Sequence, residues 1–123
     1  MTKSVLDVGN CDMDHSSIQD LLNSHFDVEI DRVHGPTDAL AAMKNKTYHL
    51  VLINRLMDRD HSPGIEIINS MKADGELSDV PVMLITNFPD HQETAMAAGA
   101  LEGFGKAALR EPETVERLRG VLA

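Results

Sequence analysis

The sequence predicts one α/β domain built on a doubly wound parallel sheet. Five short apolar runs alternate along the 123 residues with five stretches of helical periodicity. Strands that alternate with helices imply parallel βαβ units, and right-handed crossovers place the helices on both faces of the sheet. The length fits a single domain spanning residues 1–123, and 42% apolar residues are enough for a core.

The five predicted strands are short apolar segments: Val5–Val8, Phe26–Val33, Tyr48–Ile53, Val80–Thr86 and Leu101–Gly105. The second alternates apolar and polar residues, which is typical of a strand near the edge of a sheet. The third contains a continuous apolar run, which indicates a strand buried on both faces. The fifth segment is interrupted by glycine and gives the weakest strand signal of the five.

The five predicted helices are the amphipathic segments between these strands: Ser16–Ser24, Thr37–Met43, Ile65–Met71, Asp90–Ala98 and Pro112–Leu122. Ser16 and Gln19 have the spacing of a capping box, and Thr37 is placed to cap the second helix. Gly99 ends the fourth helix, and Pro112 suits the first turn of the last one.

Charge and composition exclude several classes of partner. The chain has 20 acidic and 11 basic residues, for a net charge of −9. It lacks the clustered Lys and Arg that bind nucleic-acid phosphates or anionic membranes. Cys11 is the only cysteine, so no disulfide forms within the chain. The sequence has neither a signal-peptide pattern nor a run of about 20 apolar residues. We therefore expect a cytoplasmic protein that binds neither nucleic acid nor membranes directly.

Ligands of doubly wound sheets bind outside the carboxyl ends of the strands, so the loops at that edge are the candidate site. These loops are Gly9–His15, His34–Thr37, Asn54–Gly64, Thr86–Asp90 and Gly105–Arg110.

Over its whole length the chain resembles the receiver domain of bacterial response regulators, the CheY-like family. The likeness is carried by an apolar strand leading to Asn54, by Gly64 beyond it, and by Val80–Thr86, Ala98–Ala100 and Lys106. It implies a flavodoxin-like fold with strand order 2-1-3-4-5, five helices and a role in two-component phosphorelay signal transduction. The family phosphorylates an aspartate at the end of the third strand. An acidic pair after the first strand holds Mg²⁺, and a Thr or Ser and a Lys contact the phosphoryl group.

The residues at these positions depart from the family pattern. Asn54 stands at the phosphoacceptor position, and its neutral amide is a poor nucleophile. Gly9 and Asn10 take the places of the acidic pair and offer Mg²⁺ no carboxylate. Thr86 and Lys106 are retained. The resemblance thus implies a degenerate, or pseudo-, receiver that is no enzyme and needs no cofactor. Its expected partners are signalling proteins: a histidine kinase, an output protein or another receiver.

Further departures lie near the fifth strand. Gly103 stands where the family often has a switching aromatic residue, and Phe104 should face the other side of the sheet. Ala107 replaces a usual proline. Without an acid cluster, we expect Lys106 to donate to Asn54 or to backbone carbonyls.

Two of the site loops repeat the pattern Asp-x-Asp-His, and their carboxylates are Asp12, Asp14, Asp58 and Asp60. If the loops face each other, they form a displaced site for Mg²⁺, Ca²⁺ or Mn²⁺, or with histidine for Zn²⁺. The loop after Asn54 is about two residues longer than the resemblance implies, so a second alternative makes Asp58 or Asp60 the phosphoacceptor. Aspartate is also common in turns and helix caps, and this favours the plainer interpretation in which Asp14 caps the first helix.

Asp7 lies within an otherwise apolar strand. A buried carboxylate needs a partner. The residue is either a hidden acid near the site or a side chain that leans to the strand end, toward water or a backbone donor. We favour the second interpretation.

Overall fold

A computed structural model describes residues 2–123, and in that part of the chain five strands alternate with five α-helices. The strands are β1 (Lys3–Val8), β2 (Val28–Val33), β3 (Leu50–Asn54), β4 (Val82–Ile85) and β5 (Leu101–Phe104). The helices are α1 (Asp12–His25), α2 (Pro36–Asn45), α3 (Gly64–Ala73), α4 (Pro89–Ala97) and α5 (Pro112–Leu122). A 3₁₀ turn, Lys106–Ala108, follows β5.

The strands form one parallel sheet in the order β2-β1-β3-β4-β5, which confirms the predicted fold class. β3 and β4 lie inside the sheet with their apolar side chains buried. β2 lies at an edge and is mostly half-buried, as its alternating pattern predicts. No helix within residues 2–123 is long and apolar enough to cross a membrane.

Each face of the sheet has its own apolar core. Leu6 and Val8 of β1 pack with residues of α2, α3 and α4. Val5, on the opposite face, packs with residues of α1 and α5, and Phe104 joins that second core. Burying each such side chain contributes roughly 1.5–3 kcal/mol. The predicted aliphatic core is confirmed, and four methionines lie within it: Met43, Met57, Met71 and Met83.

Helix α1 begins four residues earlier than predicted. It starts at Asp12, with Cys11 as the N-cap, so the predicted capping box of Ser16 and Gln19 is wrong. Asp12 and Asp14 lie in the first turn, where the positive end of the helix dipole favours carboxylates. The first Asp-x-Asp-His segment is therefore helical, and Asp14 is not the cap.

Helix α2 also begins earlier, at Pro36, and Thr37 is not its cap. The N-cap residue is Gly35. The Asp38 carboxylate accepts hydrogen bonds from the backbone N–H groups of Gly35 (2.8 Å) and His34 (2.9 Å). Partial burial is the largest single cause and raises the pKa of Asp38, but these two N–H groups, together with those of Asp38 and Ala39, outweigh it and hold the pKa below its usual value.

The remaining boundaries differ mainly at the starts of strands. β2, β3 and β4 each begin two residues later than predicted, at Val28, Leu50 and Val82. For β4 the cause is Pro81, which has no N–H to donate to a ladder. The α5 boundaries are as predicted.

Candidate functional site

The carboxyl ends of three strands bring the predicted site residues together. Asn54 ends β3, Thr86 follows β4 and Lys106 follows β5. All three line one cavity of about 210 Å³, together with Arg55 and Phe88 among others. The structure therefore places the acceptor position and the two retained residues in a single pocket, as the parallel sheet predicts.

The amide of Asn54 is held by the backbone. Its Nδ2 donates to the carbonyl oxygens of Gly9 (3.1 Å) and Leu56 (2.8 Å). Its Oδ1 accepts from the N–H of Arg55 at 3.1 Å. The side chain thus ties the loop after β1 to the loop after β3, and an ionised carboxylate could not supply the two donated hydrogen bonds.

Gly9 has a backbone conformation that disfavours a side chain. Its φ is +77°, in the left-handed region where glycine carries little steric cost. A Cβ at this position would also press on the side chain of Met57. The Gly9 carbonyl accepts both the Asn54 amide and the N–H of Asp58 (3.0 Å). Position 9 is therefore shaped for glycine.

Asp7 is the hidden acid, and the prediction that it leans toward water is wrong. The residue is completely buried beneath the start of α1. Asn10, also buried, donates from Nδ2 to Asp7 Oδ1 at 2.5 Å. His15 Nδ1 lies 2.5 Å from the second carboxylate oxygen. An acid in an apolar strand with a histidine in the next helix was the available signal, but sequence spacing alone does not place the two in contact.

Arg32 of β2 extends over this buried cluster. Its Nη2 donates to the carbonyl of Asn10 at 2.9 Å, and its Nη1 lies 2.8 Å from Asp12 Oδ1. Asn10 Oδ1 is buried without a hydrogen-bond partner among the described residues, and so is Arg32 Nε. The guanidinium supplies a fixed positive charge at the end of β1, a role for Arg32 that the sequence analysis missed.

Lys106 pairs with a carboxylate, which corrects the expectation that it donates to Asn54 or to backbone carbonyls. Its Nζ lies 2.7 Å from Asp14 Oδ2, and both side chains are about 30% exposed. Partial burial is the largest single cause and raises the pKa of Asp14, but the hydrogen bond and the charge of Lys106, together with a bond from the Cys11 thiol 3.3 Å away, outweigh it. The pKa of Asp14 therefore stays below its usual value.

Thr86 faces the start of α4. Its Oγ1 accepts from the N–H of Phe88 at 3.2 Å and lies 3.4 Å from His91 Nδ1. The half-exposed Phe88 ring packs edge-on against His91. The guanidinium of Arg55 lies 5.6 Å from the centre of the Phe88 ring. The threonine hydroxyl thus contributes to the turn that leads into α4.

The four loop aspartates do not converge on one point, so the predicted displaced metal site is not assembled. Asp12 and Asp14 contact Arg32 and Lys106, as described. Asp58 lies 3.5 Å from His34, and Asp60 accepts the N–H and hydroxyl of Ser62. Those bonds hold the pKa of Asp60 below its usual value. Within residues 2–123, no three His, Cys, Asp or Glu side chains gather as metal ligands.

The family's own metal site does not fit these residues either. Gly9, Asn10 and Asn54 carry no carboxylate, whereas Mg²⁺ is bound in proteins chiefly through carboxylate oxygens. Both oxygens of Asp7 are already engaged by Asn10 and His15. A cation would balance the negative charge of the carboxylates at this edge of the sheet. Here basic side chains of the protein itself lie against those carboxylates.

Known proteins match this chain through its fold alone. No protein-family model matches the sequence, and no curated protein does. Solved receiver domains match over nearly the full length. They include the receiver domain of Francisella response regulator 1452, with TM-score 0.79, 13% identity, and 97% of this chain and 95% of that chain covered. CheY4 of Vibrio cholerae gives TM-score 0.76 at 18% identity, covering 99% and 100%.

A third match is the Mn²⁺-bound form of the response regulator Rcp1, with TM-score 0.70, 17% identity, and 97% and 91% of the two chains covered. These likenesses define the class of fold: the chain has the fold of response-regulator receiver domains.

Proposed function

We propose that this chain is a pseudo-receiver, a signalling module that binds partner proteins without phosphorylation at Asn54. One observation carries the proposal: the Asn54 amide donates to the carbonyl oxygens of Gly9 and Leu56 and so acts as a structural tie. A phosphoacceptor must present an anionic oxygen nucleophile, and this position presents a neutral amide whose oxygen accepts from the Arg55 N–H.

The charge distribution supports a site that works without a metal ion. Asp12 lies against Arg32, and Asp14 lies against Lys106. Lys106 is therefore paired with a carboxylate of the same chain, that of Asp14, and is not available to bind a phosphoryl group. We propose neither an enzymatic activity nor a required cofactor for this chain.

The partner class follows from the fold. A module with a receiver fold and no acceptor transmits information by contact, so the proposed partner is a histidine kinase, an output protein or another receiver. The surface of α4, β5 and α5 presents the exposed apolar side chains of Met96 and Leu101. The net charge of −9 disfavours a nucleic-acid partner.

Intact-mass measurement after incubation with acetyl phosphate and Mg²⁺ tests the proposal. A receiver domain with an intact acidic pair and acceptor aspartate is the positive control. We expect no added phosphoryl group on this chain. A hydroxylamine-labile adduct that maps to Asp58 or Asp60 would contradict the proposal and establish the alternative, a relocated acceptor in the long loop after β3. Neither aspartate lines the cavity of Thr86 and Lys106.

A further inference from the structure

Helix α4 has little apolar anchorage. Ala95 is its one buried residue, and Met96 is exposed. A methyl group supplies far less buried area than the Leu, Ile and Met side chains that hold α1 and α3. The position of α4 on the sheet therefore depends on other contacts.

Gln92 of α4 supplies such contacts, because its side-chain amide forms hydrogen bonds with backbone groups of two strands. Its Nε2 donates to the carbonyl of Leu84 at 2.9 Å and more weakly to that of Thr86 at 3.3 Å. Its Oε1 accepts from the N–H of Gly103 at 2.9 Å. One side chain thus bonds both to β4 and to β5.

The amide fills a gap in the β4–β5 ladder. Met83 pairs with Leu101 and Ile85 pairs with Phe104, so β5 has one more residue than β4 between these two pairs. A bulge of this kind interrupts the ladder hydrogen bonds. The carbonyl of Leu84 and the N–H of Gly103 lie in the interrupted stretch, and Gln92 bonds to both.

The residue at position 103 must be small for this arrangement. A Cβ there would collide with the carbonyl of Leu84 and crowd the Gln92 amide. Arg117 of α5 holds the same backbone from the other side, with its Nη1 2.7 Å from the Gly103 carbonyl. Asn87, in the loop before α4, accepts the N–H of Ala107 at 3.0 Å.

We propose that the amide side chains of Gln92 and Asn87 form a lock that fixes α4 and the β4–α4 loop to the fifth strand and the turn after it. The surface formed by α4, β5 and α5 then keeps one shape, whatever occurs at Asn54 and Lys106. This inference rests on the proposed function, because a module that is not switched by phosphorylation has to present a constant surface to its partner.

Amide hydrogen exchange on the full chain tests the lock. The variants are Gln92→Ala, which removes all the bonds, and Gln92→Glu, which removes the donor and keeps an acceptor for Gly103. Gln19→Ala is the matched control, since Gln19 is an exposed glutamine on α1. The amides of α4 report on the lock, and those of β3 report on global unfolding.

We expect Gln92→Ala to speed exchange in α4 by at least about tenfold, which corresponds to about 1.4 kcal/mol, and to change β3 much less. Gln92→Glu should show the same pattern, and Gln19→Ala should match the wild type. Unchanged α4 exchange in both Gln92 variants would overturn the lock, and so would equal acceleration of α4 and β3. Failure of the proposed function has a different signature, a mass adduct on the wild-type chain.

Discussion

Replacing Asn54 with aspartate should destabilise the protein, although aspartate is the usual residue of the receiver family there. The carboxylate of the Asn54→Asp variant cannot donate, and it would face the carbonyl oxygens of Gly9 and Leu56, now 3.1 and 2.8 Å from Nδ2. Gly9 O keeps the N–H of Asp58 as a donor, whereas Leu56 O loses its bond. One unsatisfied carbonyl costs about 1–3 kcal/mol, and the repulsion between the carboxylate and the two carbonyls adds to it.

Urea unfolding measures this cost, and Asn69→Asp is the matched control. Asn69 is exposed in the middle of α3, so the same change of charge occurs there outside the site. We expect the Asn54→Asp variant to lose about 1–3 kcal/mol and the control to stay within about 0.5 kcal/mol of wild type.

The pH dependence gives a second readout. Repulsion by carbonyl oxygens disfavours the charged form, so the introduced carboxyl of Asn54→Asp should be protonated more readily in the folded state than in the unfolded state. A protonated carboxyl can donate one hydrogen bond. The loss of stability should therefore be greatest at neutral pH. It should shrink as the pH falls through the raised pKa of the folded state and be smallest below about pH 4, the ordinary carboxyl pKa. Equal stability of the Asn54→Asp and Asn69→Asp variants at pH 7 would refute the structural role of the Asn54 amide.

Three further outcomes are expected. Lys106→Met removes the partner that lowers the pKa of Asp14. The pair stabilises the fold above the ordinary carboxyl pKa, so urea unfolding should show a loss of about 0.5–1 kcal/mol at pH 7 that shrinks as the pH falls below about 4 and vanishes below the lowered pKa of Asp14. Asp7→Val leaves buried Asn10 and half-buried His15 without the carboxylate that both contact and should cost about 1–3 kcal/mol by the same assay; a near-neutral effect would contradict a stabilising role for these hydrogen bonds. Melting temperatures should be unchanged by millimolar Mg²⁺, Ca²⁺, Mn²⁺ or Zn²⁺, because binding at 100 times Kd would add about 2.7 kcal/mol and shift them visibly.

The fold was predictable because its signals are periodic and local. The apolar run before Asn54 indicates a buried strand, and its alternation with helical stretches leaves few topologies. Helix starts were harder to predict. The N-cap residues of α1 and α2 are Cys11, whose side chain makes no capping hydrogen bond, and Gly35, which has no side chain. The short-range rules led instead to Ser16 and Thr37, which lie inside the helices.

The site was predictable only in its positions. Strand ends placed Asn54, Thr86 and Lys106 at one edge, and the structure brings them into one cavity. Their partners depend on side-chain directions across different elements. The contact between Lys106 and Asp14 joins the turn after β5 to α1, and no sequence spacing encodes a contact of that kind.

The residues of the site are consistent with one another in physical terms. A glycine with positive φ at position 9 brings its carbonyl to the Asn54 amide, which an aspartate at position 54 could not bond. At the same edge of the sheet, the carboxylates of Asp12 and Asp14 lie against Arg32 and Lys106. Introducing one receiver-type residue alone, such as Asn54→Asp, should therefore cost stability without creating a phosphorylation site.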